Sequence, residues 1–303
     1  MKKFSNNYYF LMILPPFFWA LNWIIARHMR FEIEPITMSF VRWFIAFLIL
    51  CPFGFIKFKN NFKVVKQNFK ILLILGILGT ITFNTLVYIG LKYTLVINGS
   101  LLNTLIPVFI VLISLTFKIE KFTILKLMGV ITSFLGAVYI IFDGNLNKLA
   151  RIQVNVGDIW IIVAMLVWAI YTIILKNKPK ELDSVSFLFT SILLGLPFLF
   201  PFFIWEIFHY GFPKMNLNIV LTFIFYGTFP SIISYLIWNN GVKEIGPTNA
   251  GVYTYLLPVF GIILSIIFLD ETFLFYHLVG TVLILIGIFL VNRKNISSMK
   301  QIK

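Results

Sequence analysis

The chain has 303 residues, of which 60% are hydrophobic and 12% charged, with a formal net charge of +14 and a mean hydropathy of +0.96. That much apolar surface cannot be hidden in one water-soluble core, so composition excludes a soluble domain and makes lipid the expected solvent. The excess of Lys and Arg would suggest nucleic acid in a soluble protein, but here it sits in the short segments between apolar runs, and no nucleic-acid partner is expected.

A helical crossing needs about 20 mostly apolar residues, and turn-rich or charged segments cut the chain into ten such runs. They are predicted at Phe10 to Ile25, Met38 to Ile56, Ile71 to Leu91, Leu95 to Phe117, Thr123 to Phe142, Gly157 to Leu175, Val185 to Ile207, Asn218 to Trp238, Thr248 to Leu269 and Phe273 to Asn292. The expected fold class is an all-α integral membrane protein of ten transmembrane helices. With the N-terminus cytoplasmic, most basic residues fall inside, among them Lys57, Lys63, Lys118, Lys126, Lys176, Lys243 and Arg293, leaving Arg27, Arg30, Lys92, Lys148, Arg151 and Lys214 outside. This asymmetry predicts a multi-pass protein of the bacterial inner membrane with both termini cytoplasmic. The first run continues through Pro15, Pro16, Trp19, Asn22 and Trp23 without a small-residue cleavage site, so it reads as a span and not a signal peptide. Cys51 is the single cysteine, which permits no internal disulfide or thiolate metal site.

In the first span Trp19, Asn22 and Trp23 share one helical face. An amide facing lipid would go unsatisfied, so this face is expected to turn inward, to bind substrate or to glue two helices together. Arg42, the only basic residue well inside an apolar run, either gates or binds a ligand, or snorkels to the outer interface about one turn away. The third span carries Thr80, Asn84 and Tyr88 as one stripe that Lys92 continues, and the eighth carries Ser231, Tyr235, Asn239 and Lys243. The fourth passes Asn98 and Asn103 before Pro107, and the ninth passes Asn249 and Tyr253 before Pro258. Prolines at matching mid-span positions predict hinges beside a midplane site. The fifth and tenth spans present Gly129, Ser133, Gly136, Gly280 and Gly287, which suits close packing or a dimer contact, so monomer and homodimer both stay open. In the sixth span Trp168 repeats Trp19, and Tyr171 stands where Asn22 did. Pro197 and Pro201 bend the seventh, and the loop after it is expected to hold Glu206, His209 and Lys214.

Most of Leu95 to Ile141 returns as Gly246 to Val291. Laying Pro107 on Pro258 gives a shift of 258 − 107 = 151, which also places Asn98 on Asn249, Ser114 on Ser265, Glu120 on Glu271, Gly129 on Gly280 and Gly136 on Gly287. The expected organisation is a first five-helix repeat over 1–145, a linker over 146–156 and a second repeat over 157–303. Five crossings are an odd number, so the second copy enters from the opposite side and the repeats are inverted. All Asp and Glu fall at span ends or in loops, no phosphate-binding Gly-rich loop appears, and no cofactor is expected. Nothing at depth resembles the nucleophile, paired acids or metal cluster of an enzyme. Amides, hydroxyls and rings suit a neutral, zwitterionic or aromatic solute, moved without a proton-carrying central carboxylate.

The Trp19-Ala20 and Trp168-Ala169 starts, the Arg42-containing second span, and the small-residue, Pro-Val-Phe, acidic, Gly and Gly series present in both copies resemble the drug/metabolite transporter superfamily, specifically its EamA-type family of two five-helix units. One departure is Lys118-Ile119-Glu120-Lys121, where Gly-Glu-Arg is usual. The resemblance implies a central cavity, in contact with a small-molecule substrate, lined by Trp19, Asn22, Asn84, Tyr88, Asn98, Asn103, Trp168, Tyr171, Tyr235, Asn239, Asn249 and Tyr253. It implies a secondary transporter in a membrane lipid environment, with export of a small metabolite such as an amino acid or amine as the expected direction. An uptake permease, a channel and a non-transporting scaffold are the alternatives.

Overall fold

The computed structural model describes residues 5–120, 123–145, 147, 155–269 and 272–300. Among the described residues, ten helices are long and apolar enough to cross a membrane. They are α1 (Tyr8–Phe31), α2 (Pro35–Asn60), α3 (Phe69–Tyr93), α4 (Val96–Thr116), α5 (Ile124–Ile141), α6 (Val156–Asn177), α7 (Ser184–Tyr210), α8 (Leu217–Ile245), α9 (Pro247–Leu264) and α10 (Phe275–Arg293). The protein is an all-α integral membrane protein, as its composition predicts. Most of the linker expected over 146–156, and Glu271, lie outside the described residues. We call the face holding Tyr8, Asn60, Ser184 and Ile245 the near face and its opposite, with Phe31, Pro35 and Val156, the far face.

Helix ends are fixed by caps from both sides of the sequence. Asp183 begins α7 by accepting from the N–H groups of Val185 and Ser186, both at 3.0 Å, and pairs with Lys57 at the end of α2, also at 3.0 Å. Asn155 and Asp158 form a reciprocal capping box at the start of α6, in which the Asp158 carboxylate also accepts from Thr94 Oγ1 at 2.5 Å.

Contacts recur with their partners exchanged. The small faces of α5 and α10 meet so closely that a Cβ on Gly129 would lie 2.6 Å from the Gly287 carbonyl oxygen, and one on Gly136 would lie 2.7 Å from that of Gly280. At the shift of 151, Gly129 matches Gly280 and Gly136 matches Gly287, so the two approaches are one contact seen twice. These faces are therefore spent inside one chain. On α2 and α7 the shift is 168 − 19 = 149, the one that lays Trp19 on Trp168. There Gly54 packs on the Phe189 ring, and the matching pair, Phe40 and Phe203, stack at 4.1 Å.

Candidate functional site

The site is built on two helix irregularities that sequence periodicity does not reveal. Residues Gly76–Thr82 of α3 and Gly227–Ile233 of α8 form π-helical turns, and the shift of 151 superposes them end to end. A wide turn loosens the ordinary ladder of backbone bonds. Side chains accordingly reach carbonyls five residues back, as Asn84 Nδ2 does to Gly79 at 3.1 Å and Ser231 Oγ to Tyr226 at 2.6 Å. The Gly79 carbonyl also accepts from Tyr235 OH at 2.5 Å. The Pro230 carbonyl, its match at the shift of 151, accepts from Trp19 Nε1 at 3.2 Å and Arg42 Nη2 at 2.9 Å.

Beside Phe83 and Asn84, just after the first of these turns, lies a cavity of about 10 Å³, room for roughly one water, also lined by Trp19, Asn22, Trp23, Asn103, Ile106, Trp168, Thr254 and Leu257. Two tyrosine–asparagine bonds flank it. Tyr88 OH donates to Asn22 Oδ1 at 2.8 Å, and Tyr171 OH donates to Asn239 Oδ1 at 2.7 Å. Tyr171 matches Asn22 and Asn239 matches Tyr88, so the bond is kept while the two residue types trade helices. Asn84 Nδ2 donates to its own counterpart, Tyr235 OH, at 2.9 Å. Trp19, Trp168, Trp238 and Tyr235 form a continuous ring cluster with centroids 5.2 to 6.4 Å apart, all buried. A cleft of about 600 Å³ at the far-face ends of α1, α4, α5 and α10 and on α9 carries Arg27, His28, Arg30, Asp143 and His277. Trp23 and Leu257 line both spaces and form the partition between them.

Of the twelve predicted lining residues, Trp19, Asn22, Asn84, Asn103 and Trp168 line the central cavity directly. Tyr88 and Tyr235 join it through hydrogen bonds and Tyr171 through ring contact with Trp168, while Asn239 follows behind Tyr171. The other three do not gather there. Asn98 belongs to a far-face cluster, its amide 3.3 Å from Thr94 Oγ1. Tyr253 OH donates to the Tyr9 carbonyl at 2.8 Å near the opposite face. Asn249, 1% exposed, has neither amide atom paired among the described residues.

Two expectations about charge need correction. Arg42 does not snorkel. It is wholly buried, donating to Ser231 Oγ at 2.6 Å, Tyr88 OH at 2.8 Å and the Pro230 carbonyl. Glu206 is not in a loop: it lies on α7, 4% exposed, where it accepts from Ile36 N at 3.1 Å, Thr37 N at 2.5 Å and Thr37 Oγ1 at 2.7 Å. Asp158 does lie at a span end, where it too is buried, at 4% exposed. The first two polar partners lie far away in sequence, which is why neighbouring residues gave no sign of them. As for bending, α4 breaks at Thr104 and α9 tightens over Val252–Tyr255, in each case about one turn before the proline. Pro258 has no N–H to offer the Thr254 carbonyl. Asn103 Nδ2 supplies that donor from the other half at 3.2 Å, and 103 + 151 = 254.

The EamA-like transporter family matches residues 6–142 and again residues 155–293. Over 293 residues the chain is 27% identical to an uncharacterized transporter of Archaeoglobus fulgidus, covering 96% of this chain and 99% of that one. It is 25% identical to the uncharacterized transporter YyaM of Bacillus subtilis over 224 residues, 74% of this chain and 73% of the relative. A solved crystal structure shares the fold with a TM-score of 0.71 at 16% identity, covering 94% of this chain and 95% of its own. With both halves matched, the chain belongs to the EamA-like transporter family of the drug/metabolite transporter superfamily.

Proposed function

We propose that the protein is a secondary carrier that moves a small polar or amphipathic metabolite by alternating access, with export as the working direction. The observation that carries this is the arrangement of two spaces: a cavity closed to about 10 Å³ lies behind Trp23 and Leu257, and beyond them a cleft of about 600 Å³ lies at the far face. The exchanged contacts of α5 with α10 and of α2 with α7, and the self-matched pairs Asn84–Tyr235 and Asn103–Thr254, are what two inverted repeats about an axis in the membrane plane would make. Exchanging the halves' conformations would close the far cleft and open its counterpart at the near face. In the cell membrane the near face, with Lys57, Lys59 and Lys176, is cytoplasmic in this reading, and so are both termini.

Purified protein in liposomes should show saturable counterflow of its solute, which a channel or scaffold does not. Asn84→Leu and Tyr235→Leu should each abolish it while leaving membrane insertion intact. Unchanged flux in both variants would mean that the polar stripes only pack. Reporters fused after Lys303 and within the loop at Lys63 should both read cytoplasmic.

A further inference from the structure

Arg42 is a full positive charge buried in a membrane span, and none of the three ion pairs among the described residues includes it. Its three hydrogen-bond acceptors are two hydroxyls and a carbonyl, all neutral. A buried guanidinium of this kind is costly and calls for a counter-charge. Its position in the second repeat is held by Ser191, through the shift of 149, so the charge is not needed to hold two such helices together. The guanidinium is joined to the cavity wall by a relay: Arg42 Nη1 donates to Tyr88 OH at 2.8 Å, and Tyr88 OH donates to Asn22 Oδ1 at 2.8 Å.

Resting on the carrier reading above, we propose that Arg42 is the fixed cation of the transport site and that the solute is an organic anion: one carboxylate on a compact apolar body. The body would sit against Trp19, Trp23, Phe83 and Trp168, the aromatic part of the cavity wall. Among the described residues no Asp or Glu lines that cavity, so an ammonium group would find no carboxylate there and would be repelled by the same guanidinium. An amine is therefore the wrong solute and an amino group is not required. The far cleft agrees in sign, with Arg27 and Arg30 on its wall and Asp143 its one carboxylate among the described residues. Arg27 and Arg30 are engaged by the backbone carbonyls of Leu91 and Lys92 and of Arg27, not by acids. When the solute enters, its carboxylate takes hydrogen bonds from the Arg42–Tyr88–Asn22 relay, and no covalent step is involved.

The test uses full-length protein and four probes of one shape: phenylacetate, phenylacetamide, phenethylamine and phenylalanine. Binding is read by quenching of the tryptophan fluorescence that Trp19, Trp23 and Trp168 supply, and transport by counterflow of labelled probe in liposomes. Phenylacetate should bind at least about tenfold more tightly than the amide or the amine, as expected of a charge-assisted contact. Arg42→Gln should erase that preference, and Arg42→Lys should keep part of it, with thermal melts showing all three proteins folded. Equal binding of amide and acid, a preference for the amine, a preference that survives Arg42→Gln, or binding of no probe would each overturn the anion site. Phenylacetate that binds with the predicted preference but never shows counterflow would leave the anion site standing and sink the carrier reading instead.

Discussion

The two ends of the α2–α7 pair occupy matching places in the two halves and are held by opposite chemistry. At the near face, Lys57 of α2 meets Asp183 at the start of α7, with both side chains close to half exposed, at 43% and 48%. At the far face the shift of 149 puts Glu206 in the place of Lys57 and Glu34 in the place of Asp183. Two acids cannot pair, so Glu206 turns its carboxylate onto the N–H groups at the start of α2 while Glu34 pairs with Lys92. One end is a solvated ion pair over a helix start; the other is a buried anion serving directly as the helix cap. Matching position in a repeat therefore fixes where a clamp is needed and leaves open how it is made.

The largest expected effect comes from the buried clamp. Glu206→Leu strands two backbone donors and a hydroxyl and should lower stability by about 3 kcal/mol, read as a fall in melting temperature in detergent; Glu206→Gln should fall between it and the parent. A loss no greater than that of Lys57→Leu would erase the distinction between the ends. The next comparison is between the two tyrosine–asparagine bonds. Tyr88→Phe cuts a bond to a charged group and should reduce transport about tenfold, whereas Tyr171→Phe cuts a neutral pair and should cost about threefold or less. Equal losses would mean that Arg42 adds nothing to the first repeat's relay.

A smaller effect separates Lys178 from Asp183 in the near-face loop. Burial chiefly, and Lys243 next, push the Lys178 ammonium from 10.5 down to about 8, against the opposing pull of Asp183. Between those values the unfolded chain binds more protons than the folded one, so this residue's contribution to stability rises as pH climbs from about 8 and is flat below it. Lys178→Met should remove that rise and add about 1 kcal/mol at pH 7, checked by melts across pH 7 to about 10. Asp183 behaves oppositely: burial works against its charge, but the Ser186 N–H, Lys57 and the Val185 N–H outweigh it and hold its carboxyl below the usual range. The smallest change is that of Lys57→Leu, within about 0.5 kcal/mol and fading with added salt.

The ten spans, the duplication and most of the central cluster were legible because they rest on periodicity: apolar length, polar residues four apart, and small residues repeating at a fixed shift. Periodicity put Trp19, Asn22, Asn84, Asn103 and Trp168 on inward or matching faces, and the family resemblance is what gathered them into one lining. What stayed hidden were features set by partners more than a hundred residues away. Glu206 reads as a loop acid beside His209 and Tyr210 until Ile36 and Thr37 are placed against it. Arg42 stayed open between an inward role and snorkelling because Pro230 and Ser231 cannot be seen from Trp43. The π-helical turns leave no apolar period of their own; their one trace is Gly76 and Gly79 recurring as Gly227 and Pro230. Asn98 enters the lining only through the family resemblance, and its amide turns instead to Thr94 at the far face.

The bond from Asn103 to the Thr254 carbonyl also bears on how the chain is made. A proline in the second half leaves a carbonyl that only the first half satisfies, and Ser133 Oγ makes a parallel bond to the Ile284 carbonyl at 3.2 Å. During synthesis the first five helices enter the bilayer with Asn103, Ser133 and the bare glycine face of α5 waiting for partners not yet translated. The two halves are thus two pieces of one assembly: a gene cut between them should yield a stable protein only where both fragments are produced in the same cell.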